Sequence, residues 1–273
     1  MRVTVLVDNS VAPATPLLGE HGFSALVETE DGERFLFDTG RGPALRHNLA
    51  ALGVARTPPL TAIVLSHGHD DHTGGLEAAL DWFGPTTVIA QRELFADHHV
   101  AGPAGEKSIG IPLSQSDLES LGATFRFVDG FTQIGTGVHV TGEIPRITGW
   151  EQGDPKLTVG GGAPDPLTDD LSLVIETPRG LALLLGCAHA GVINILTAVH
   201  SRFPDTPIAL LLGGTHLGLV GEGQRSRSIA ELASTEINRI GLCHCTGLDA
   251  GAKLAAAMPG RAFFAPAGIV VTL

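Results

Sequence analysis

Positive charge is scarce in this chain. Seventeen Lys and Arg stand against 29 Asp and Glu, a formal net charge of −12. That balance repels a phosphate backbone and an anionic bilayer, so nucleic acid and membrane are excluded as expected partners. Long apolar runs are missing too. No stretch approaches the roughly 18 residues that a spanning helix needs. Met1 to Asp8 reads as a strand closed by Asp8 rather than as a signal peptide, because its apolar run is too short. Cysteine is rare: Cys187, Cys243 and Cys245 cannot form an even disulfide framework, which points to a cytoplasmic protein. All three fall inside motifs that carry chemistry. The chain also lacks Ser-x-x-Lys and Gly-x-Ser-x-Gly, which disfavours covalent serine catalysis. It has no internal repeats.

What remains describes an enzyme-like globule. With 273 residues, 43% hydrophobic and 17% charged, the chain is long enough to bury a large core. Strands are expected over 3–7, 23–28 and 34–37, the last two joined by an Asp31-Gly32 turn. A helix over 43–52 stops at Gly53. Strands over 61–65, 87–90, 125–128 and 138–141 follow, with a helix over 76–82 among them. A hairpin is expected over 171–177 and 181–185, then a helix over 191–200 and a strand over 208–212. Helices over 228–240 and 248–258 and a final strand over 262–273 complete the reading. This alternation is α/β, with mixed sheets covered by helices. The halves before and after residue 140 read as two layers of a single domain, residues 1–273. Residues 91–122 are expected to be helical in part. Adjacent histidines on a helix cannot both face one ion, so His98 and His99 read as a solvated face. The Gly-rich segment 148–170, with Asp165, Asp169 and Asp170, reads as a mobile loop over the site.

The chemistry concentrates in Ser66-His67-Gly68-His69-Asp70-Asp71-His72-Thr73-Gly74-Gly75, directly after an apolar strand. His67, His69, Asp71 and His72 offer four metal-competent side chains within six residues. Imidazole and carboxylate suit zinc, manganese or iron better than calcium or magnesium. Residues two apart on an extended backbone point the same way, so His67 and His69 can grip one ion. Asp71 and His72 can reach a second ion where a helix begins. Gly74 and Gly75 permit close backbone approach. Asp38, at the end of a hairpin, is placed to hydrogen-bond the ligand histidines, or to cap the helix after it. His21 is open between a loop residue and a functional one.

The His-x-His-x-Asp-His run after a strand resembles the signature of the metallo-β-lactamase superfamily. The resemblance narrows to the dihydropteroate-synthase-like, or 7,8-dihydropterin-6-methyl-4-(β-D-ribofuranosyl)aminobenzene-5′-phosphate synthase, branch. Leu6-Val7-Asp8-Asn9, Glu20-His21-Gly22, Leu36-Phe37-Asp38-Thr39-Gly40, Thr141-Gly142-Glu143-Ile144-Pro145-Arg146, Gly186-Cys187-Ala188-His189-Ala190-Gly191 and Cys243-His244-Cys245-Thr246-Gly247 carry it. It implies an αββα sandwich of two mixed sheets flanked by helices. It also implies one or two transition-metal ions, zinc first. His244 would correspond to the superfamily's last histidine, a ligand of the second ion. Where the wider superfamily carries a histidine for the first ion, this chain has Gly142-Glu143. Glu143 is open to three readings: a metal ligand, a group that holds a ligand or substrate from the side, or a buried ion pair with Arg146. Where many members carry a bridging aspartate, Cys187 stands, with His189 two residues on. His189 is the expected replacement ligand of the first ion, and Cys187 is a weaker candidate. Cys243 and Cys245 are expected to point away from His244 by alternation.

An ion held by neutral imidazoles lowers the pKa of bound water toward ~7. Asp71 would orient or deprotonate that nucleophile, and His216, or backbone amides near Gly213-Gly214, would help stabilise an oxyanion. The expected activity is metal-dependent hydrolysis of a small-molecule ester, thioester, lactone or phosphoester. The alternative implied by the branch is a transferase joining a pterin pyrophosphate to a ribofuranosylaminobenzene phosphate-like acceptor.

Overall fold

Period-two burial sorts the strand residues into two facing layers. The computed structural model describes residues 1–103 and 105–273. A seven-stranded sheet runs edge to edge through Val270–Thr272, Arg2–Val7, Ser24–Glu28, Arg34–Phe37, Ala62–Val64, Thr86–Ala90 and Ala123–Phe127. A second runs through Ala262–Phe264, Ile240–Leu242, Ile208–Gly213, Gly180–Leu185, Ser172–Thr177, Val138–Val140 and Thr132–Gly135. Both are mixed, with antiparallel hairpins giving way to parallel neighbours.

Alternation then decides which face each side chain takes. Phe35 and Phe37 point between the sheets, while Leu36 points outward. Ala182 and Leu184 likewise join the central layer, and Leu181, Leu183 and Leu185 the outer one. Helices Pro43–Ala51 and Leu76–Phe83 cover the outer face of the first sheet. Helices Val192–Arg202, Glu222–Ser234 and Leu248–Ala257 cover that of the second. Strands apolar on both faces need this double cover, and the result is the αββα sandwich.

Three expectations are corrected. The helix expected over 228–240 is Glu222–Ser234. Arg261 caps its last carbonyls, donating to Ala233 O at 2.7 Å and Thr235 O at 3.2 Å, and Ile237 beyond it bridges to Ile208. The single strand expected over 262–273 is two strands in different sheets. Pro266, which has no N–H for a ladder, and Gly268, at φ 96°, turn the chain across the sandwich between them. Finally, His98–Gly102 is a strand, not a helix. It joins Gly105–Ser108, Leu157–Val159 and Ala163–Pro164 in a four-stranded sheet, so part of the segment expected as a loose loop is paired backbone. No helix among the described residues is long and apolar enough to cross a membrane.

Candidate metal centre

The histidine cluster lies where strand ends from both sheets meet. Ala62–Val64 delivers Ser66 and His67, and the short helix Asp70–Thr73 presents Asp71 and His72. From the other sheet, Gly180–Leu185 delivers Cys187 and His189, Ile208–Gly213 delivers His216, and Ile240–Leu242 delivers His244. Glycines make the approach possible. A Cβ on Gly75 would sit 2.0 Å from Thr39 O, and one on Gly186 would sit 2.1 Å from Ser66 Oγ. The backbone is bent to aim these groups: Asp38, Ala188, His216 and His244 all take positive φ, between 47° and 58°. Left-handed backbone at non-glycine residues is costly and gathers at functional sites.

One trio forms around His67. Its Nε2 is 3.0 Å from His69 Nδ1 and 3.2 Å from His189 Nε2. The donor atoms of His67, His69 and His189 lie within 4.8 Å of one another, and all three residues are buried. Spacing by two would put Cys187 and His189 on one side of an extended backbone; the backbone is instead kinked at Ala188, and their donor atoms still fall in one group. A second set surrounds Asp71. Its Oδ2 is 3.0 Å from His21 Nε2, 3.3 Å from His244 Nε2 and 4.0 Å from His72 Nε2, and the two latter nitrogens are 3.3 Å apart. His67, His69, Asp71, His72, His189 and His244 are therefore brought into one constellation. His216 joins it, its ring centroid 4.5 Å from that of His189.

Hydrogen bonds on the far side of the rings fix the tautomers. Asp38 is an acceptor, so His72 Nδ1–H donates to its Oδ2 at 2.6 Å. Ser66 N–H and Oγ–H donate to the same carboxylate at 2.7 and 2.8 Å. With its proton committed, Ser66 Oγ accepts from His67 Nδ1–H at 2.9 Å. His244 Nδ1–H donates to Asn9 Oδ1 at 2.9 Å, and Asp8 Oδ1 accepts from His244 N at 2.6 Å. His67, His72 and His244 thus turn Nε2 inward; burial alone would lower His72, but Asp38 and Asp71 outweigh it and push it up to about 9, so its Nε2 also carries a proton that an arriving ion would displace. Asp38 holds ligand-type histidines and does not cap a helix; Glu20 accepts from the N–H groups of Arg41, Gly42 and Ala44 instead.

This donor set fits a transition ion. Nitrogens bound at roughly 2.0–2.1 Å to one tetrahedral zinc stand about 3.3 Å apart. The trio is already near that spacing, at 3.0 and 3.2 Å. Burial reinforces the fit. It drives His67 and His189 well below the ordinary imidazole value and His69 down to about 3, so all three are neutral ligands at pH 7. Burial alone would raise Asp71, but His72 and hydrogen bonds from His21 and His244 outweigh it and hold Asp71 well below the carboxylate range. Asp71 is therefore an ionised acceptor and a poor proton acceptor at pH 7. His216 is buried with neither ring nitrogen partnered among the described residues.

Other readings change. Glu143 is exposed, and so is Arg146, which donates to Pro166 O at 3.0 Å; no buried pair forms between them. Glu143 instead lines a surface cavity with Phe131 and Pro145. His98 is not on a solvated face. It is 1% exposed, its Nδ1 is 2.6 Å from Asp165 Oδ2, and its Nε2 is 3.6 Å from Asp169 Oδ2. Asp169 Oδ2 also accepts from Gly68 N at 2.7 Å, and Asp170 Oδ2 from Ala190 N at 2.7 Å, so these acids brace both ligand turns. Cys243 does point away, donating to Ala265 O at 3.3 Å. Cys245 does not, because the 3-10 turn His244–Thr246 breaks strand alternation, and its donor atom groups with those of Cys187 and His244. Asn9, Ser66 and Cys245 carried no local signal beyond lying in or beside the resembling stretches.

Comparison with known proteins agrees with this architecture. The family model of the metallo-β-lactamase superfamily matches residues 18–224. An uncharacterized protein of Methanocaldococcus jannaschii is 31% identical over 255 residues, covering 92% of this chain and 93% of its own. Another protein of that organism, named 7,8-dihydropterin-6-methyl-4-(β-D-ribofuranosyl)-aminobenzene-5′-phosphate synthase, is 25% identical over 264 residues, covering 92% and 89%. A solved metal-dependent hydrolase of the β-lactamase superfamily superposes with a TM-score of 0.86 at 26% identity, covering 100% of this chain and 99% of that one.

Proposed function

The chain belongs to the metallo-β-lactamase superfamily, and from that premise we propose that it is a metal-dependent hydrolase of a small-molecule ester, thioester, lactone or phosphoester. The observation that carries the reading is the convergence of His67, His69 and His189, three neutral imidazoles at ligand spacing. They would hold one ion, and Asp71, His72 and His244 a second, zinc before manganese or iron. A bound ion supplies Lewis acidity and a water acidic enough to be hydroxide near neutral pH.

The chain's own groups do the rest. Asp71 carries a fixed negative charge that accepts a hydrogen bond and so orients the attacking water. His216 has an N–H with no hydrogen-bond partner among the described residues to give to a developing oxyanion, and burying such a group unpaired costs about 1–3 kcal/mol unless a ligand meets it. His21, whose Nδ1 faces Asn9 Nδ2 at 3.5 Å, keeps its proton on Nε2 and donates to Asp71. Substrate would enter beside His244, where a cavity of about 330 Å³ is lined by Asn9, Ser10, Leu248 and Phe264 among others.

The relative named as a synthase supports a second reading, transfer of a pterin methylene from its pyrophosphate to a ribofuranosylaminobenzene phosphate-like acceptor. One experiment separates the two. Metal-loaded protein is offered a panel of esters, thioesters, lactones and phosphoesters, and separately a pterin pyrophosphate with an arylamine acceptor, with products identified by mass spectrometry. Chelator-sensitive hydrolysis supports the first reading; a coupled product without hydrolysis replaces it with the second.

A further inference from the structure

Cys187 stands inside the constellation, between the two sets of donors. It is 4% exposed, and its Sγ is 3.2 Å from His72 Nε2. That nitrogen faces the centre, because Asp38 holds the ring by Nδ1. The Cys187 sulfur shares one donor group with His67 and His72, another with His189 and His216, and another with His244 and Cys245. His67 and His189 belong to the first trio, and His72 and His244 to the set around Asp71. The sulfur therefore stands within ligand-group range of both sets. Its backbone is held there, since Gly186 abuts Ser66 and Ala188 bends at φ 57°.

Resting on the metal reading above, the geometry points to Cys187 as a sulfur ligand shared by the two ions, the atom that joins them. Binding breaks the S–H bond, releases one proton to solvent and forms two metal–sulfur bonds; nothing is oxidised. The other cysteines are not equivalent. Cys243 Sγ is turned to Ala265 O in the core between the sheets. Cys245 groups with Cys187 and His244 but receives the His216 backbone N–H at 3.3 Å, which places it behind Cys187 as a neighbour of the sulfur. A thiolate shared between borderline-soft ions favours zinc over manganese at this centre.

X-ray absorption at the zinc edge tests this on the full-length protein loaded with two equivalents of zinc. A shared sulfur is seen by both ions, so scattering at about 2.3 Å should average one sulfur per zinc. A terminal cysteine on one ion gives half that value. Cys245→Ala should leave the value at one sulfur per zinc. Cys187→Asp, which puts an oxygen ligand at the same place, should still bind two zinc ions and lose the sulfur signal. Half a sulfur per zinc, none at all, stoichiometry limited to one zinc, or a signal surviving in Cys187→Asp each overturns the shared ligand while leaving the histidine centre standing. Failure of the wild-type protein to bind zinc overturns both. A wild-type value of half a sulfur per zinc, or none, overturns the shared ligand even where a variant does not fold.

Discussion

Asp38 Oδ2 lies 2.6 Å from His72 Nδ1, both side chains fully buried, and through Ser66 the same carboxylate sets the tautomer of His67. One acid thus orients an imidazole in each of the two proposed ligand sets. Its loss should be felt at both. Asp38→Asn keeps the shape but offers a neutral amide to the His72 and Ser66 donors. Affinity for zinc should fall by about 10–100-fold, the usual cost of losing an outer partner of a ligand histidine. Competition with a chromophoric chelator measures it, and an unchanged affinity would refute the orienting role.

His189 closes the first trio from the opposite sheet, so His189→Ala should remove one bound ion while leaving the fold intact. Metal analysis should fall by one ion per chain, and hydrolysis by more than about a hundredfold, since a Lewis acid contributes several kcal/mol. Chelation of the wild-type protein should give the same loss and be reversed by zinc. Full activity in a chelated sample would remove the metal mechanism altogether.

A different signature is expected at His216, whose ring nitrogens are buried and unpartnered among the described residues. His216→Ala should lower kcat by about 10²–10³-fold, as for loss of an oxyanion donor. Zinc content should not change. A parallel fall in metal content would make His216 a ligand instead, and an unchanged kcat would dismiss it.

The His98 cluster makes stability depend on pH. Burial alone would lower His98, but Asp165 and Asp169 outweigh it and push the imidazole up to about 9, while His98 holds Asp165 below its usual value against burial. The raised His98 stabilises fully below its unfolded value near ~6.5 and loses that contribution as pH rises through about 9. The depressed Asp165 contributes above its unfolded value near ~4 and loses it in acid. The pair is therefore worth most between about pH 4 and 6.5, on the order of 3 kcal/mol for the His98 shift. His98→Gln should be less stable than wild type at pH 6 and approach it at pH 10. Urea unfolding in chelator checks this, and parallel stability curves would contradict it.

The sites read from sequence and structure overlap unequally. His67, His69, Asp71 and His72 are four residues within a six-residue turn, so local spacing alone placed their donors together. His189 and His244 were found through resemblance and their position at strand ends, and the fold brings both to the cluster. His98 was misread because adjacent histidines gave no sign that the segment pairs as a strand against residues 157–159 and buries one ring on Asp165. Glu143 was overvalued for the opposite reason: a carboxylate near a suspected ligand position says nothing about which way its strand end turns.

By itself the sequence determined the α/β alternation and the ligand chemistry of the first turn, because periodicity and residue type are local properties; the αββα layering came through the family resemblance. Tertiary structure alone decided which distant side chains complete that turn. Positive φ at Ala188, His216 and His244 breaks the local periodicity, and glycine contacts at Gly75 and Gly186 set how closely two sheets may approach. Neither quantity exists until both layers are packed, which is why Cys187, Asn9 and Asp169 acquire their roles only in the folded chain.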